Sequence, residues 1–372
     1  MTFDVVIVGA GIVGAACADE FAQAGLRVAV IEAGPIGGGA TAAGMGHITV
    51  MDDSDAQFAL TNYSQQLWRA LSSELPPDTE YVECGTMWVA ADDEEMNEVQ
   101  RKQAFYRQRG LPAEVLDAKA LAEAEPNLRL GLAGGLRVPQ DGVTYPPCGA
   151  RFFIERAQKH GAQLYIGRPV TELKGQGARF SDGEFIGAGF TVNATGSWAP
   201  ELTPGINVQK RKGHLVITDR YPGFVRHQLI ELGYLKSAHS ISTDSVAFNA
   251  QPRKTGQILI GSSRQYGVED KQIDQPILTR MIDRAIEYMP QLAKLSVLRT
   301  WTGFRAATPD KLPLIGPSAI PNLYLATGHE GLGITTSLGT AKLLADQVLN
   351  RAPAIPFEPY LPSRSMKEDS HD

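Results

Sequence analysis

Residues 4–32 read DVVIVGAGIVGAACADEFAQAGLRVAVIE, and few stretches leave a chain less choice of fold. The β-branched run Val5–Val8 predicts a buried parallel strand. Gly9-Ala-Gly11-Ile-Val-Gly14 follows at once, then helical composition from Ala15 to Ala24, with Gly25 as a C-terminal cap. Arg27–Ile31 reads as a second strand that ends at Glu32. In this strand–turn–helix–strand context the spacing G-x-G-x-x-G is specific, whereas alone it is weak. Gly9 permits the tight turn, Gly11 lets a pyrophosphate approach the backbone, and Gly14 lets helix pack on strand. The helix start offers unpaired N–H groups to the phosphates. Glu32 is placed to accept ribose hydroxyls, and its charge disfavours a 2′-phosphate. A glycine-rich turn of some other α/β protein is the alternative, and it leaves the acid unexplained.

At 372 residues the chain exceeds one ordinary core, so two domains are expected. Apolar residues at 43% and charged residues at 20% match an ordinary globular protein, and a net charge of −6 with no basic block argues against nucleic acid or an anionic membrane as partner. Three well-separated cysteines, Cys17, Cys84 and Cys148, make neither a disulfide framework nor a metal site. No metal is expected. The start of the chain shows no basic leader, and its apolar run is too short to span a bilayer, so a cytoplasmic protein is expected.

Three further segments bear on the ligand. Residues 34–53, GPIGGGATAAGMGHITVMDD, hold six glycines, which argues against a good helix or strand and suits backbone lying on a flat ligand; a hinge or linker is the alternative. His47 has no ligand-spaced partner and reads as a polar wall residue. Residues 185–200, FIGAGFTVNATGSWAP, predict an apolar strand ending at Asn193-Ala-Thr195-Gly196, a second close approach to the dinucleotide. Near the end, NLYLATGHEGLGITTSLG predicts a strand over Leu323–Ala326, a glycine turn and a helix with Thr335, Thr336 or Ser337 near its start. That helix would aim N–H groups at an anion or a polarised carbonyl. The nucleotide fold by itself does not choose NAD over FAD.

Taken together, the glycine motif with Glu32, the NATGSW element and GHEGLGITTSLG resemble the D-amino acid oxidase family of flavoproteins, over nearly the whole chain. TAAGMGHITVMDD and GFRAATPDKLPLIG are further similar to β-subunits of D-hydroxyproline dehydrogenases and related sarcosine or opine oxidases. The resemblance implies an α/β (α+β overall) fold: a Rossmann-like FAD-binding domain with an inserted antiparallel-sheet substrate domain, of the glutathione-reductase-like type. It implies FAD contacts from Gly9, Gly11, Gly14, Glu32, Ala33, Thr41, Ala43, Gly44, Met45, Val170, Thr195, Gly196, Gly331, Gly333, Ile334 and Thr335. Members that attach flavin covalently carry a cysteine about where Gly303 stands, so non-covalent FAD is expected. The expected partners are a small carboxylate-bearing amine and an electron acceptor (oxygen, quinone or a partner subunit), with homo- or hetero-oligomerisation left open.

WTGFRAATPD, residues 301–310, sets an arginine among apolar and small residues. A desolvated cation needs an anion. Arg305 therefore meets either a carboxylate of the chain, such as Asp310, or one that arrives with substrate. In glycine oxidase and D-amino acid oxidase, a Gly-x-Arg before a closing Pro-x-x-Gly holds the substrate carboxylate. Gly303-Phe-Arg305 and Pro313-Leu-Ile-Gly316 match it, which implies that Arg305 is the catalytic carboxylate clamp. Its planar fork suits that task better than a lysine would.

The expected FAD-binding domain takes residues 1–80, 145–208 and 300–372, and the substrate domain 81–144 and 209–299. Within the latter, YVECGTMWVA alternates like a strand and DDEEMNEVQRKQAFYRQRG reads as a solvated amphipathic helix. QKRKGHLVIT, VAFNAQP and QILIGSSRQYG read as antiparallel strands that roof the flavin, with the KRK run at 210–212 as a solvated turn. Arg264 and Tyr266 are the favoured pocket residues beside His47. His214, His239, Tyr234 and Asn249 are weaker candidates, each as easily a core or surface residue. The tail from Ser363 is polar and expected to be disordered. Two other readings compete with amino-acid oxidation: an electron-relay subunit of a hetero-oligomer and a non-catalytic nucleotide-binding regulator.

Overall fold

The computed structural model describes residues 3–233 and 244–366; Tyr234, His239 and the tail from Lys367 lie outside them. Its eighteen strands, in chain order, are β1 (Phe3–Val8), β2 (Val28–Glu32), β3 (His47–Ile48), β4 (Thr86–Ala90), β5 (Glu114–Asp117), β6 (Gly134–Val138), β7 (Gly142–Val143), β8 (Gln163–Ile166) and β9 (Val170–Lys174), followed by β10 (Gly177–Phe180), β11 (Phe185–Asn193), β12 (Gln209–Thr218), β13 (Gln228–Glu231), β14 (Ser245–Pro252), β15 (Ile258–Arg264), β16 (Val297–Ala307), β17 (Leu314–Pro317) and β18 (Leu323–Thr327). They form two large sheets and one small one.

The first sheet has the order β17-β18-β11-β1-β2-β8, with the hairpin β9–β10 continuing from β11. β18, β11, β1, β2 and β8 run parallel. The near-continuous apolar run of β1 is what a strand covered on both faces requires. The first helix, Ile12–Gln23, packs Ala15, Cys17, Ala18 and Phe21 into this core, and Gly25 takes the left-handed φ of +86° that turns the chain into β2. Gly14 sits where a Cβ would fall 2.0 Å from the Gly9 carbonyl oxygen, so only glycine lets the helix approach β1 this closely. The helix Gly333–Val348 buries Leu343 and Leu344 in the same core.

The second sheet has the order β16-β12-β15-β14-β13-β4-β6-β5. It is antiparallel except where β13 runs parallel to β4. β4 is buried at all five positions, so the alternation read in YVECGTMWVA does not appear as an exposed face. The reason is that helix Asp93–Gln108 covers the sheet there: it is helical as expected but buries Val99, Tyr106 and all of Lys102. β16 lies at the edge of this sheet, so the boundary drawn at residue 300 falls inside one of its strands.

Two local expectations are corrected. The glycine-rich loop does contain a short helix, Gly39–Ala43, held because Gly37 and Gly39 take positive φ on either side of its start. The start of the tail forms a single 3-10 turn, Pro362–Met366, where Arg364 binds Asp310 at 2.7 Å. No helix among the described residues is long and apolar enough to cross a membrane.

Candidate active site

A cavity of about 770 Å³ lies where the two sheets meet, and its wall takes in Gly9, Gly11, Glu32, Thr195, Gly196 and Arg305. At the glycine-motif end, Gly9 has φ +106°, and a Cβ there would stand 2.5 Å from the Ala194 oxygen. The strand end of β11 thus presses on the turn after β1. Thr41 Oγ1 accepts a hydrogen bond from the Ile12 N–H at 3.0 Å and so completes the start of the first helix from the side of the glycine loop. Glu32 accepts the Ala10 and Gly34 N–H groups, both at 2.7 Å, which fixes its carboxylate on the cavity wall with lone pairs to spare for hydroxyl donors.

Of the residues expected to touch the cofactor, Ala33, Ala43, Gly44, Met45, Val170, Gly331, Gly333 and Ile334 also line the cavity. Gly14 and Thr335 stand behind the wall. Thr335 donates its hydroxyl to the His47 carbonyl at 2.8 Å and accepts the Thr49 N–H at 3.2 Å, so it ties the last long helix to β3. Asn193 similarly supports the second glycine element. Its amide donates to the Ala199 carbonyl and to Thr203, while its oxygen accepts from Thr195.

The other end of the cavity carries charge. Arg305 on β16 is the direct cross-strand partner of Arg211 on β12, and Arg264 on β15 joins them on the cavity wall. Arg305 Nη1 donates to the Ser263 carbonyl at 3.0 Å. Arg211 forms an ion pair with Glu330 and donates to the Tyr266 hydroxyl at 3.1 Å. Burial, then the neighbouring Arg211 cation, pushes the Arg305 guanidinium down to about 9, against the pull of Tyr266. Arg264 is also pushed down to about 9, by burial first and then by Arg211 and Arg305. Such depressions mark the cost of burying a cation first and the repulsion of its neighbouring cations second.

Asp310 is not the answer to Arg305. Its carboxylate pairs with Arg364, and among the described residues no carboxylate lies within ion-pair distance of Arg305. Gly213 makes room for the guanidinium and Gly303 for the glycine-rich loop, the two glycines facing each other across β12 and β16. A Cβ at Gly213 would fall 2.4 Å from Arg305 Nη1, and one at Gly303 would fall 2.2 Å from the Ala43 Cβ.

The remaining candidates divide. His47 lines the cavity, with its ring nitrogen Nε2 buried and without a hydrogen-bond partner among the described residues; burial and then Arg305 push it down to about 4, so it is neutral at pH 7. Asn249 lines the cavity. Tyr266 is set back, reaching the site through Arg211. His214 is a core residue, wholly buried, held by Ser263 Oγ at 2.9 Å and by the Asp274 N–H at 3.0 Å.

The reading of KRK as a solvated turn is overturned. Arg211 and Lys212 are interior residues of β12, 6% and 2% exposed. Arg211 was missed because local composition shows the run of charge and not the sheet that covers it. Trp88 and Glu330 also reach the wall without having been singled out. The only sequence signal for Glu330 was its place in the GHEGLG turn.

The wall fits a flavin dinucleotide on two counts. Glycines stand where the chain must come close, and buried polar atoms of His47, Trp88, Ser197 and Asn249 on the cavity wall have no partner among the described residues. Buried polar groups left so need a ligand's donors and acceptors.

A family model described as FAD dependent oxidoreductase matches residues 4–347. Hydrogen cyanide synthase subunit HcnC of Pseudomonas aeruginosa is 29% identical, over 99% of this chain and 97% of its own. Glycine oxidase of Geobacillus kaustophilus is 29% identical over 96% of each. The crystal structure of glycine oxidase from that organism superposes with a TM-score of 0.87 at 28% identity, covering 98% of this chain and 99% of the other. The structure of L-proline dehydrogenase from P. horikoshii gives 0.87 at 25% identity, covering 98% and 97%.

Proposed function

Starting from the fact that the chain belongs to the FAD-dependent oxidoreductase family, we propose that it oxidises the C–N bond of a small amino or imino acid whose carboxylate is held by Arg305. The observation that carries this is the half-buried Arg305 fork, which lines the cavity and has no ion-paired carboxylate among the described residues. Bound FAD supplies the hydride acceptor. The chain supplies the frame. Gly9, Gly11 and Glu32 would hold the nucleotide end, and the start of helix Gly333–Val348 would face the flavin end. Arg305 fixes the substrate's orientation, because two parallel N–H···O bonds leave the carboxylate plane little freedom.

Within this class, a cyclic imino acid of the D-hydroxyproline type is the substrate we favour, acted on by a dehydrogenase. Similarity to the P. horikoshii L-proline dehydrogenase supports a ring-shaped imino acid. Glycine, sarcosine, opine and D-amino acid oxidation form the second choice, which the likeness to glycine oxidase supports. Attachment of FAD is non-covalent in this reading, since the three cysteines are free and Gly303 stands in the segment where a tether would fall. The relative HcnC is named as a subunit of hydrogen cyanide synthase, which keeps a hetero-oligomer in view, and a cytoplasmic location is part of the same reading.

An anaerobic screen of flavin bleaching by D- and L-amino acids, hydroxyprolines and sarcosine tests the proposal on the purified chain. Bleaching by one carboxylate-bearing amine supports it. Bleaching by none, with FAD fully loaded, favours a relay subunit. Acid precipitation that leaves yellow FAD in the supernatant is the expected sign of non-covalent attachment.

A further inference from the structure

Four carboxylates stand on the wall of the main cavity among the described residues: Glu32, Asp53, Glu201 and Glu330. Glu32 is held by backbone N–H groups at the glycine-motif end. Glu201 pairs with Lys210 at 2.9 Å. Asp53 contributes to the field at Arg264. Glu330 is the one placed beside Arg305: its N–H donates to the Ala306 carbonyl at 2.8 Å. The next residue, Gly331, is so close that a Cβ there would be 3.7 Å from Arg305 Nε.

Glu330 also holds an unfavourable backbone. Its φ is +54°, a left-handed conformation better suited to glycine or asparagine. The turn alone would be easier to form with glycine, so the side chain serves something other than the turn. That side chain is 10% exposed and ion-paired with Arg211. A carboxylate in an ion pair with arginine accepts hydrogen bonds, with up to four lone-pair sites on its two oxygens.

We propose that Glu330 recognises the amine of the substrate, accepting its N–H while Arg305 grips the carboxylate one carbon away. This rests on the carboxylate-clamp reading of Arg305. An α-amino or α-imino acid places its two charged groups on one carbon, and Arg305 and Glu330 offer the complementary pair side by side. Arg211 orients Glu330 through their ion pair, and the Tyr266 hydroxyl, which accepts from Arg211, braces the arginine in turn. The site thereby selects an amine over an oxygen at the same position. A cyclic ether acid satisfies Arg305 and brings Glu330 no donor, whereas a 2-hydroxy acid brings it one neutral O–H.

The test compares proline with tetrahydrofuran-2-carboxylate, in both enantiomers, on the FAD-loaded protein under anaerobic conditions. The two differ in one ring atom, N–H against O. Half-saturating concentrations are read from the change in flavin absorbance. Wild type is expected to prefer proline, and Glu330→Gln to lose at least about tenfold of that preference, chiefly by weakening proline. Glu330→Asp, which keeps the charge, should retain most of it. Arg305→Ala should weaken both ligands together. Wild-type values that do not differ, or a Glu330→Gln variant that shifts both ligands by one factor or neither, overturn the role of Glu330. An Arg305→Ala variant that leaves both unchanged sinks the clamp instead.

Discussion

Arg305 and Arg211 are direct partners across β16 and β12, two cations side by side on the cavity wall, and among the described residues Glu330 is ion-paired with Arg211. Like charges placed opposite on a sheet repel. Such a pair is tolerated when an anion completes it, and a substrate carboxylate is the natural one. The predictions below follow from this arrangement and from the packing that supports it.

Arg305→Ala should raise the apparent KM for the substrate at least roughly a hundredfold, since losing one partner of a buried charged pair costs ~2–5 kcal/mol. The FAD spectrum should be nearly unchanged. Steady-state kinetics decide it: a KM within about twofold of wild type removes Arg305 from the carboxylate.

Gly213→Ala tests the geometry of the same group without deleting it. The new methyl would stand 2.4 Å from Arg305 Nη1 and 2.9 Å from the Ser263 carbonyl, so the fork must move. A loss of about tenfold in substrate affinity is expected at unchanged FAD content, because a small misplacement is costly in an oriented site. Affinity equal to wild type would mean that the observed pose of Arg305 is not the one that binds.

Stability should fall in acid partly through His329. Burial alone pushes this imidazole down to about 3 from an ordinary value near 6.5, and its Nε2 is hydrogen-bonded to Thr340 Oγ1 at 3.0 Å. A depressed folded value means that the unfolded chain takes up the proton first. Its contribution is therefore whole above pH 6.5 and is lost as pH falls towards about 3. The slope is about 1.4 kcal/mol per pH unit for one proton. Urea denaturation between pH 4 and 7 should show a shallower slope in His329→Asn than in wild type, and parallel slopes would count against this origin.

Asp52→Asn should be severe although it lies outside the cavity wall. Lys102 is wholly buried, pairs with Asp52, and stands 4.3 Å over the Trp88 ring that lines the cavity. Removing the carboxylate leaves an ammonium buried without its counter-charge, at a cost of about 3–5 kcal/mol. Asp52→Asn combined with Lys102→Met should recover most of that in a denaturation midpoint. If the double variant is no more stable than the single one, the pair is not what holds the helix Asp93–Gln108 to the loop.

The nucleotide half was legible because its chemistry is local. Strand, glycines, helix and acid lie within 29 consecutive residues, residues 4–32, and the closest approach of helix to strand, Gly14 on Gly9, is made inside that stretch. Glu32 shows this well, since the groups it binds, Ala10 and Gly34, belong to the same βαβ unit. Arg305 was legible for another reason: a guanidinium among apolar residues demands an anion wherever the chain goes.

What completes the reacting end was not legible. Arg211 lies ninety-four positions from Arg305, inside a basic run that looks like a surface turn, and only the β12–β16 register sets the two opposite. Lys102 looked like part of a solvated helix until β4 and Trp88 were seen beneath it. The dinucleotide fold and the need for an anion at residue 305 can thus be read from the chain, because both follow from short-range geometry and the cost of burying charge. That Asp310 belongs to Arg364, and that Arg211 and Glu330 stand beside Arg305, depends on the folded chain. Those partners are chosen by strand register and sheet order, and no local pattern in the chain encodes which distant residue will come to lie opposite.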